Sequence, residues 1–537
     1  MSGGQLVEVR QVWRSRIVRA ATGLLVLGLA GAIGTMPRPA RSDVNAAAHA
    51  TLVDVAPPRT QLVCAGPLIL PDAASAGDSE FNPTPVAPVT RVDAVTADVG
   101  TATGSAAAAG LALLGTGASV GTVNPAGGGG ATSVTEPSAA VVLQAEPVGD
   151  QPARVAGAMS ASVTAGDLRG LSAASCQRPG NDLWLVGGST EISSSAQLVI
   201  DNPGTTASEV SIEVWGPSGK VDLAGGAATV VAPGGERVIV LPALAVEQRR
   251  LTVHVVAAGG NVTAHIQDTL LRGFTAAGTD LVVPGEAPAT RQVIAGVAVS
   301  ASTVDDPDAA FLRVLAPGAT GGTVRITLLG ADGVVTLPGA DSVALAPGEV
   351  TDVPLGGLDA GVYGIVVDAP VPVVAAAMLT RPGHATALDD TPTLERAWCA
   401  AVPTGVGGLV AVPAGTTASI TLSAVVAGDD PTAARPAVGV LRALGPQGAV
   451  LREVPVSLPA GTTVRISVGS LGAGVTAVEL VPEATSPVWD RGAQLVWSLI
   501  AAVAAPDGAL FSVLVPTSDA PAAARVPVRA SGRLGLG

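Results

Sequence analysis

Four histidines, His49, His254, His265 and His384, are all that the chain offers to imidazole chemistry. A nucleophile activated by a neighbouring histidine therefore has few places to form. There is no His-Glu-x-x-His pair for zinc and no Gly-x-x-x-x-Gly-Lys loop for phosphate. Paired carboxylates of the glycosidase kind are brought together only in space, so spacing along the chain does not test for them. One pairing can be tested locally. Residues 251–257 and 261–267 flank Ala258-Gly259-Gly260. Read as a hairpin with a two-residue Gly259-Gly260 loop, this places His254 opposite His265, with Val253, Val255, Val262, Ala264 and Ile266 on the other face. Two cross-strand imidazoles can share a transition metal, but solvent-facing polar positions are the plainer reading. Asp305-Asp306-Pro307-Asp308 and Asp429-Asp430 resemble the acidic loops that hold calcium between sandwich domains, but a solvated turn is the plainer reading. The expectation is of no catalytic residue, no cofactor and no metal.

The elements that would carry these residues show themselves by repetition. Residues 211–241 read strand, Gly-Pro turn, strand, Pro-Gly turn, strand. Gly216-Pro217-Ser218-Gly219 returns as Gly330-Ala331-Asp332-Gly333 and as Gly445-Pro446-Gln447-Gly448, at intervals of 114 and 115 residues. The second turn keeps step, with Gly234, Gly348 and Gly461 spaced 114 and 113 apart. A period this long suits one small all-β domain per copy. In 211–215, Ile212 and Val214 alternate with Ser211 and Glu213, the period of a half-buried strand. The residue before each turn glycine is Trp215, Leu329 or Leu444, apolar in every copy, and is expected to pack under the turn.

Composition agrees. Of 537 residues only 2% are aromatic and 13% charged, while 67 are Gly and 42 Pro. Val, Ala, Leu and Ile must build the cores, and turns punctuate every stretch. A net charge of −14 argues against a nucleic-acid partner, which needs a basic surface to neutralise phosphates. Lys220 is the only lysine.

Arg10, Arg14, Arg16 and Arg19 precede an uncharged run over 20–36. This predicts a cytoplasmic segment 1–19, a transmembrane signal-anchor 20–36 and an extracytoplasmic remainder. The alternative is a cleaved signal peptide ending near Ala48-His49-Ala50. After it come an extended, low-complexity segment with short strands over 37–167, β-sandwiches over 168–275, 276–392 and 393–516, and a tail from 517 to 537. The fold class is thus all-β, tandem sandwiches of immunoglobulin or fibronectin type after a single N-terminal transmembrane helix. Of the three cysteines, Cys64 and Cys176 are paired here as a disulfide, which leaves Cys399. Three buried, unpaired thiols are the alternative.

The Arg-rich start and single anchor, the Gln61-Leu62-Val63-Cys64-Ala65-Gly66-Pro67 run, and Cys176 followed by Asp182-Leu183-Trp184-Leu185-Val186-Gly187-Gly188 form one signature. With Asn202-Pro203-Gly204 and Ala232-Pro233-Gly234 it resembles an actinobacterial family of membrane-anchored cell-envelope proteins classed as a domain of unknown function. The resemblance implies an extracytoplasmic setting and lends no catalytic residue. The function expected is a non-enzymatic, single-pass scaffold or interaction protein of the envelope, binding an envelope protein or cell-wall polymer. The alternative is an accessory ligand-binding subunit of envelope glycan or glycoprotein assembly.

Overall fold

A computed structural model describes residues 51–71, 83–100, 105–337, 339–340, 342–385, 390–426, 434–483, 492–519 and 524–528. The run 20–36, His49, Asp429, Asp430 and Trp489 lie outside them. Among the described residues no helix is long and apolar enough to cross a membrane. The chain divides into two units. In the smaller, Thr51–Val55 pairs antiparallel with Ala524–Val528.

The larger unit, 56–523, is nearly all strand, with short helices at Leu241–Leu244 and Val468–Leu471. It contains four β-sandwiches, not three. The additional one occupies the stretch expected to be extended. Its eight strands are Thr60–Cys64, Val89–Ala97, Ala109–Leu113, Ser119–Val123, Gly129–Thr135, Val141–Ala145, Arg154–Val163 and Gly170–Ser175. Numbered in that order, they form two sheets, 1-6-3-4 and 5-2-7-8. Leu62, Val92, Leu111, Leu143 and Met159 fill the space between them. Small residues had hidden these strands. Gly110, Gly121 and the glycines of 127–130 break the polar–apolar alternation without preventing the ladders.

The same order recurs from Asp182–Val186 to Thr275–Val282, from Ala289–Val299 to Pro392–Ala400, and from Gly408–Ala411 to Leu510–Leu514. In the third sandwich one long strand, Gly361–Ala385, serves as both sixth and seventh and crosses between the layers. Two packed antiparallel sheets were expected, but the immunoglobulin strand order is not what forms. In that fold the first strand sits with the second and fifth, and the seventh with the third and sixth. Here both have changed sheets. The domain limits shift for one reason throughout. The eighth strands of the first three sandwiches, Gly170–Ser175, Thr275–Val282 and Pro392–Ala400, fall within the spans expected for the following domains. The expected tail also contributes, with Thr517–Ser518 pairing against Gly408 and Leu409.

The repeating turns are the places where sandwiches meet. The end of the third strand, or the turn after it, contacts the start of the fifth strand of the next sandwich. Gly115 lies against Gly234, the Val350 N–H donates to Gly216 O at 3.0 Å, and the Thr463 hydroxyl donates to Leu329 O at 2.7 Å. The fourth contact returns to the beginning, with Gly448 against the Gly129 backbone and no room for a Cβ between them. The head-to-tail contact is therefore heterologous and closes after four steps. The turn before each fifth strand carries a glycine at positive φ, Gly127 at 85°, Gly234 at 65°, Gly348 at 75° and Gly461 at 80°. That left-handed conformation explains why glycine recurs there. Gly127 is the copy that the spacing count missed.

Cys64 and Cys176 form a disulfide joining the two sheets of the first sandwich. Cys399 is buried and unpaired, and burial pushes its thiol pKa up. Gly157 packs against the bridge, and a Cβ there would fall 2.5 Å from Cys176 Sγ. Gly157→Ala is therefore expected to destabilise the chain by about 1–3 kcal/mol through overpacking. An unchanged urea midpoint in the variant would contradict this packing.

Candidate functional site

Two groupings of polar and ionisable side chains bear on function, one at the junction of the four sandwiches and one in a cleft between the second and third. At the junction the eighth strands pack against one another in a closed cycle. Each is an edge strand, with outward N–H groups that its own sheet cannot satisfy. Two carboxylates accept them. Asp280, from the second sandwich, takes the Trp398 N–H at 2.7 Å, the Ser512 hydroxyl at 2.9 Å and the Ala173 N–H. It thereby touches the other three sandwiches. Glu395 accepts the N–H groups of Leu171 at 2.9 Å and Phe511 at 3.1 Å, and pairs with Arg169 at 3.3 Å. Arg169 continues to Asp507 at 2.6 and 3.0 Å. Burial raises Asp280 to about 8. Glu395 also rises to about 8 by burial, against the pull of Leu171, Arg169 and Phe511. These groups are enclosed and their hydrogen bonds are spent on neighbouring strands, so they hold the domains together.

The cleft is open and has a volume of about 360 Å³. Its floor is the outer face of one sheet of the second sandwich. Leu183, Leu185, Ile212, Val214, Val253 and Val255 face the core, so the residues between them face outward. The register then lines up Trp184, His254 and Glu213 in one row across three strands, with Trp215 two residues beyond Glu213 on the same strand. Trp184 stacks on His254 at 4.0 Å between ring centroids and on Trp215 at 5.3 Å. His254 Nε2 lies 2.7 Å from Asp182, and Nδ1 lies 3.2 Å from Glu213. Lys220 pairs with Glu213 and sits 5.4 Å from the Trp215 ring centre. Lys220 and, after it, His254 pull the Glu213 carboxyl below its usual range. Pro317, Gly318, Thr320, Val371 and Pro372 of the third sandwich form the opposite wall. Behind them Trp184, Val186 and Trp215 join Leu315, Val350 and Val374 in a shared apolar cluster. Both carboxylates already accept from cations or the imidazole, so what the cleft presents is ring faces and proline edges, a binding surface for an apolar or sugar-like face.

The expected His254–His265 pair does not form. The Gly259-Gly260 segment crosses between sheets instead of closing a hairpin, and Thr252–Ala258 and Thr263–Arg272 belong to different layers. All five apolar residues assigned to the opposite face do enter the core. His265 is enclosed under Pro67, Leu68 and Ile69 of the first sandwich, where burial lowers it to about 4. Among the described residues no cluster of three or more His, Cys, Asp or Glu is arranged to hold a metal. Asp308 pairs with Arg272, and Asp306 caps the Asp308 N–H at 2.9 Å, so that acidic loop is a structured turn. Trp215, expected to pack under its turn, is buried in a cluster with Trp184, Leu315, Val350 and Val374 and lines the cleft. The detectable signal was the rarity of aromatics, with Trp184 and Trp215 both bordering strands of one domain. Gly117-Ala118-Ser119-Val120-Gly121 has the spacing of a nucleophile elbow, but Ser119 opens an edge strand and not a strand-to-helix turn.

A family model described as "Family of unknown function (DUF5719)" matches residues 131–479. No curated protein matches the chain. Among solved structures, the chain is similar to a GH78 family rhamnosidase of Bacillus sp. GL1 at 11% identity and a TM-score of 0.12. That match covers 64% of this chain and 55% of the rhamnosidase chain, so the chain spans about half of it. A structure of infectious bursal disease virus Gx strain matches at 11% identity and a TM-score of 0.08, over 62% and 82% of the two chains. Scores this low carry no argument about fold or activity.

Proposed function

The chain belongs to this family of unknown function, which brings no activity with it, and from its own geometry we propose that it is a non-enzymatic scaffold of the cell envelope. In this reading the run 20–36 anchors it, the N-terminus is cytoplasmic, and the four-sandwich body stands outside the membrane of a high-GC Gram-positive bacterium. The observation that carries the proposal is the use of its charged residues. Asp280, Glu395 and Arg169 are enclosed and bind one sandwich to the next, which makes a stiff body from four small domains. The Cys64–Cys176 bridge supports an oxidising, extracytoplasmic setting.

The second reading, an accessory ligand-binding subunit of envelope glycan or glycoprotein assembly, is favoured by the Trp184–His254–Trp215 cleft. The two readings share a test. Full-length protein immobilised in detergent is expected to retain a wall polymer or envelope protein from cell-wall extracts. Trp184→Ala is expected to weaken that retention about tenfold if the cleft is the contact, the usual cost of truncating an aromatic anchor. Retention unchanged by Trp184→Ala would leave the scaffold surface as the contact, and no retention above background would count against both readings.

A further inference from the structure

His254 stands in the middle of the cleft floor, held from both sides. Its strand, Thr252–Ala258, runs between Asp182–Val186 and Ser208–Gly216, so Trp184 lies directly across from it on one side and Glu213 on the other. Asp182 stands diagonally beyond, two residues before Trp184. The imidazole is nearly parallel to the Trp184 ring, at 13° and 4.0 Å between centroids. Its Nε2 lies 2.7 Å from Asp182 Oδ1, and its Nδ1 lies 3.2 Å from Glu213 Oε2. Both ring nitrogens therefore meet carboxylate oxygens, which only accept.

A neutral imidazole carries one N–H and one lone pair. In that form, one of the two contacts sets a lone pair against a carboxylate oxygen, and the pair repels. An imidazolium donates to both and places a cation beside the Trp184 ring. Charge points the same way. Lys220 holds the other oxygen of Glu213. Asp182, Glu213, Lys220 and an imidazolium sum to zero, whereas a neutral imidazole leaves the row with a net negative charge. Thr252 and Val256 flank His254 on its own strand, and Pro317, Gly318, Thr320, Val371 and Pro372 face it from the third sandwich, none of them titratable.

We propose that His254 is a proton-operated lock on the cleft floor. As imidazolium it ties the strands of Asp182 and Glu213 together beside Trp184 and fixes the surface that a ligand meets. As neutral imidazole it releases one carboxylate and frees Trp184 to move. Histidine is the side chain that changes charge between about pH 5 and pH 8. The lock regulates the site of the ligand-binding reading and rests on that reading for its consequence, tighter retention at the acid end of this range.

The first arm of the test needs no ligand. Tryptophan emission and its quenching by acrylamide are followed in the purified full-length chain from about pH 5 to pH 8. An imidazolium stacked on an indole quenches it, so emission is expected to rise with pH, and acrylamide quenching to rise with it as Trp184 loosens. Both changes should be lost in His254→Gln and in Trp184→Phe. Asp182→Asn offers an N–H that a neutral imidazole can accept, so in that variant acrylamide quenching should stay low throughout. Wild-type emission that is flat with pH overturns the proposal, as does a rise that His254→Gln retains. So does a rise in emission with no change in acrylamide quenching, which would mean deprotonation without release. In the second arm, material from cell-wall extracts whose retention depends on Trp184 is expected to be released on raising the pH from wild type but not from His254→Gln. Equal retention at both ends of the range overturns the regulation of the cleft. No retention at either end counts against the ligand-binding reading alone, and the first arm still decides the lock.

Discussion

Replacing Asp280 by alanine is expected to lower the unfolding free energy by roughly 3–6 kcal/mol and to loosen the contact among all four sandwiches at once. The carboxyl accepts N–H groups of Trp398, Leu281 and Ala173 and meets the Ser512 hydroxyl, and it is 2% exposed. Removing it strands two or three buried donors, at about 1–3 kcal/mol each. Asparagine is the informative control, because its amide oxygen still accepts the Trp398 N–H and its NH₂ can reach Ser512. The pH dependence separates these variants. Burial raises Asp280 from an ordinary value near 3.8 to about 8, so the fold binds this proton more tightly than the unfolded chain does. Its contribution is therefore complete below the unfolded value and is lost as pH rises through about 8. Wild-type stability, read from urea midpoints, is expected to fall between pH 5 and pH 8 and to level off above that. Asp280→Asn should show a shallower fall over the same window, the remainder coming from Glu395 and Asp201, which burial also raises to about 8. Equal slopes in the two proteins would show that Asp280 is ionised throughout.

The second large effect is expected from the Cys64–Cys176 bridge. It closes a loop with a sequence separation of 112 and joins the two sheets of the first sandwich. On the chain-entropy account, a loop of that size constrains the unfolded chain by about 4.7 kcal/mol. A Cys64→Ala, Cys176→Ala double variant is expected to lose most of that, and the loss should concentrate in residues 56–177. Because Gly129 in this sandwich meets Gly448 in the fourth, the loss should also loosen that closing contact. A double variant melting within a degree or two of wild type would contradict this.

Much of the β architecture was legible in the sequence. Alternation at Ile212 and Val214 located a strand over 211–215, which forms as part of Ser208–Gly216. Three kinds of feature were not legible, each for a physical reason. The strands of the first sandwich are rich in Ala and Gly, which blur the alternation of polarity along the strand, so the short strands expected in 37–167 did not add up to a domain. The eighth strands carry Asp280, Glu395 and Arg396, residues that look solvent-facing until a neighbouring domain buries them. Gly259-Gly260 suits a tight turn and a crossover equally, and only the pairing of Thr263–Arg272 with Ser194–Asp201 distinguishes them. The cleft needed all of this in place. Its floor could be read from Trp184 and Trp215, but its wall belongs to a different repeat, more than 100 residues along the chain.

The central claim is that four sandwiches form one body through their eighth strands, and amide hydrogen exchange at those strands tests it most directly. The N–H groups of Leu171, Phe511 and Trp398 point out of their own sheets toward Glu395 and Asp280. In independent domains these edge amides would face water and exchange quickly. In the closed arrangement they should exchange as slowly as the core amides of Ile266, Ile365 and Leu499, and lose that protection in Asp280→Ala. Rapid exchange of all three in the wild-type chain, with the core amides still protected, would contradict it.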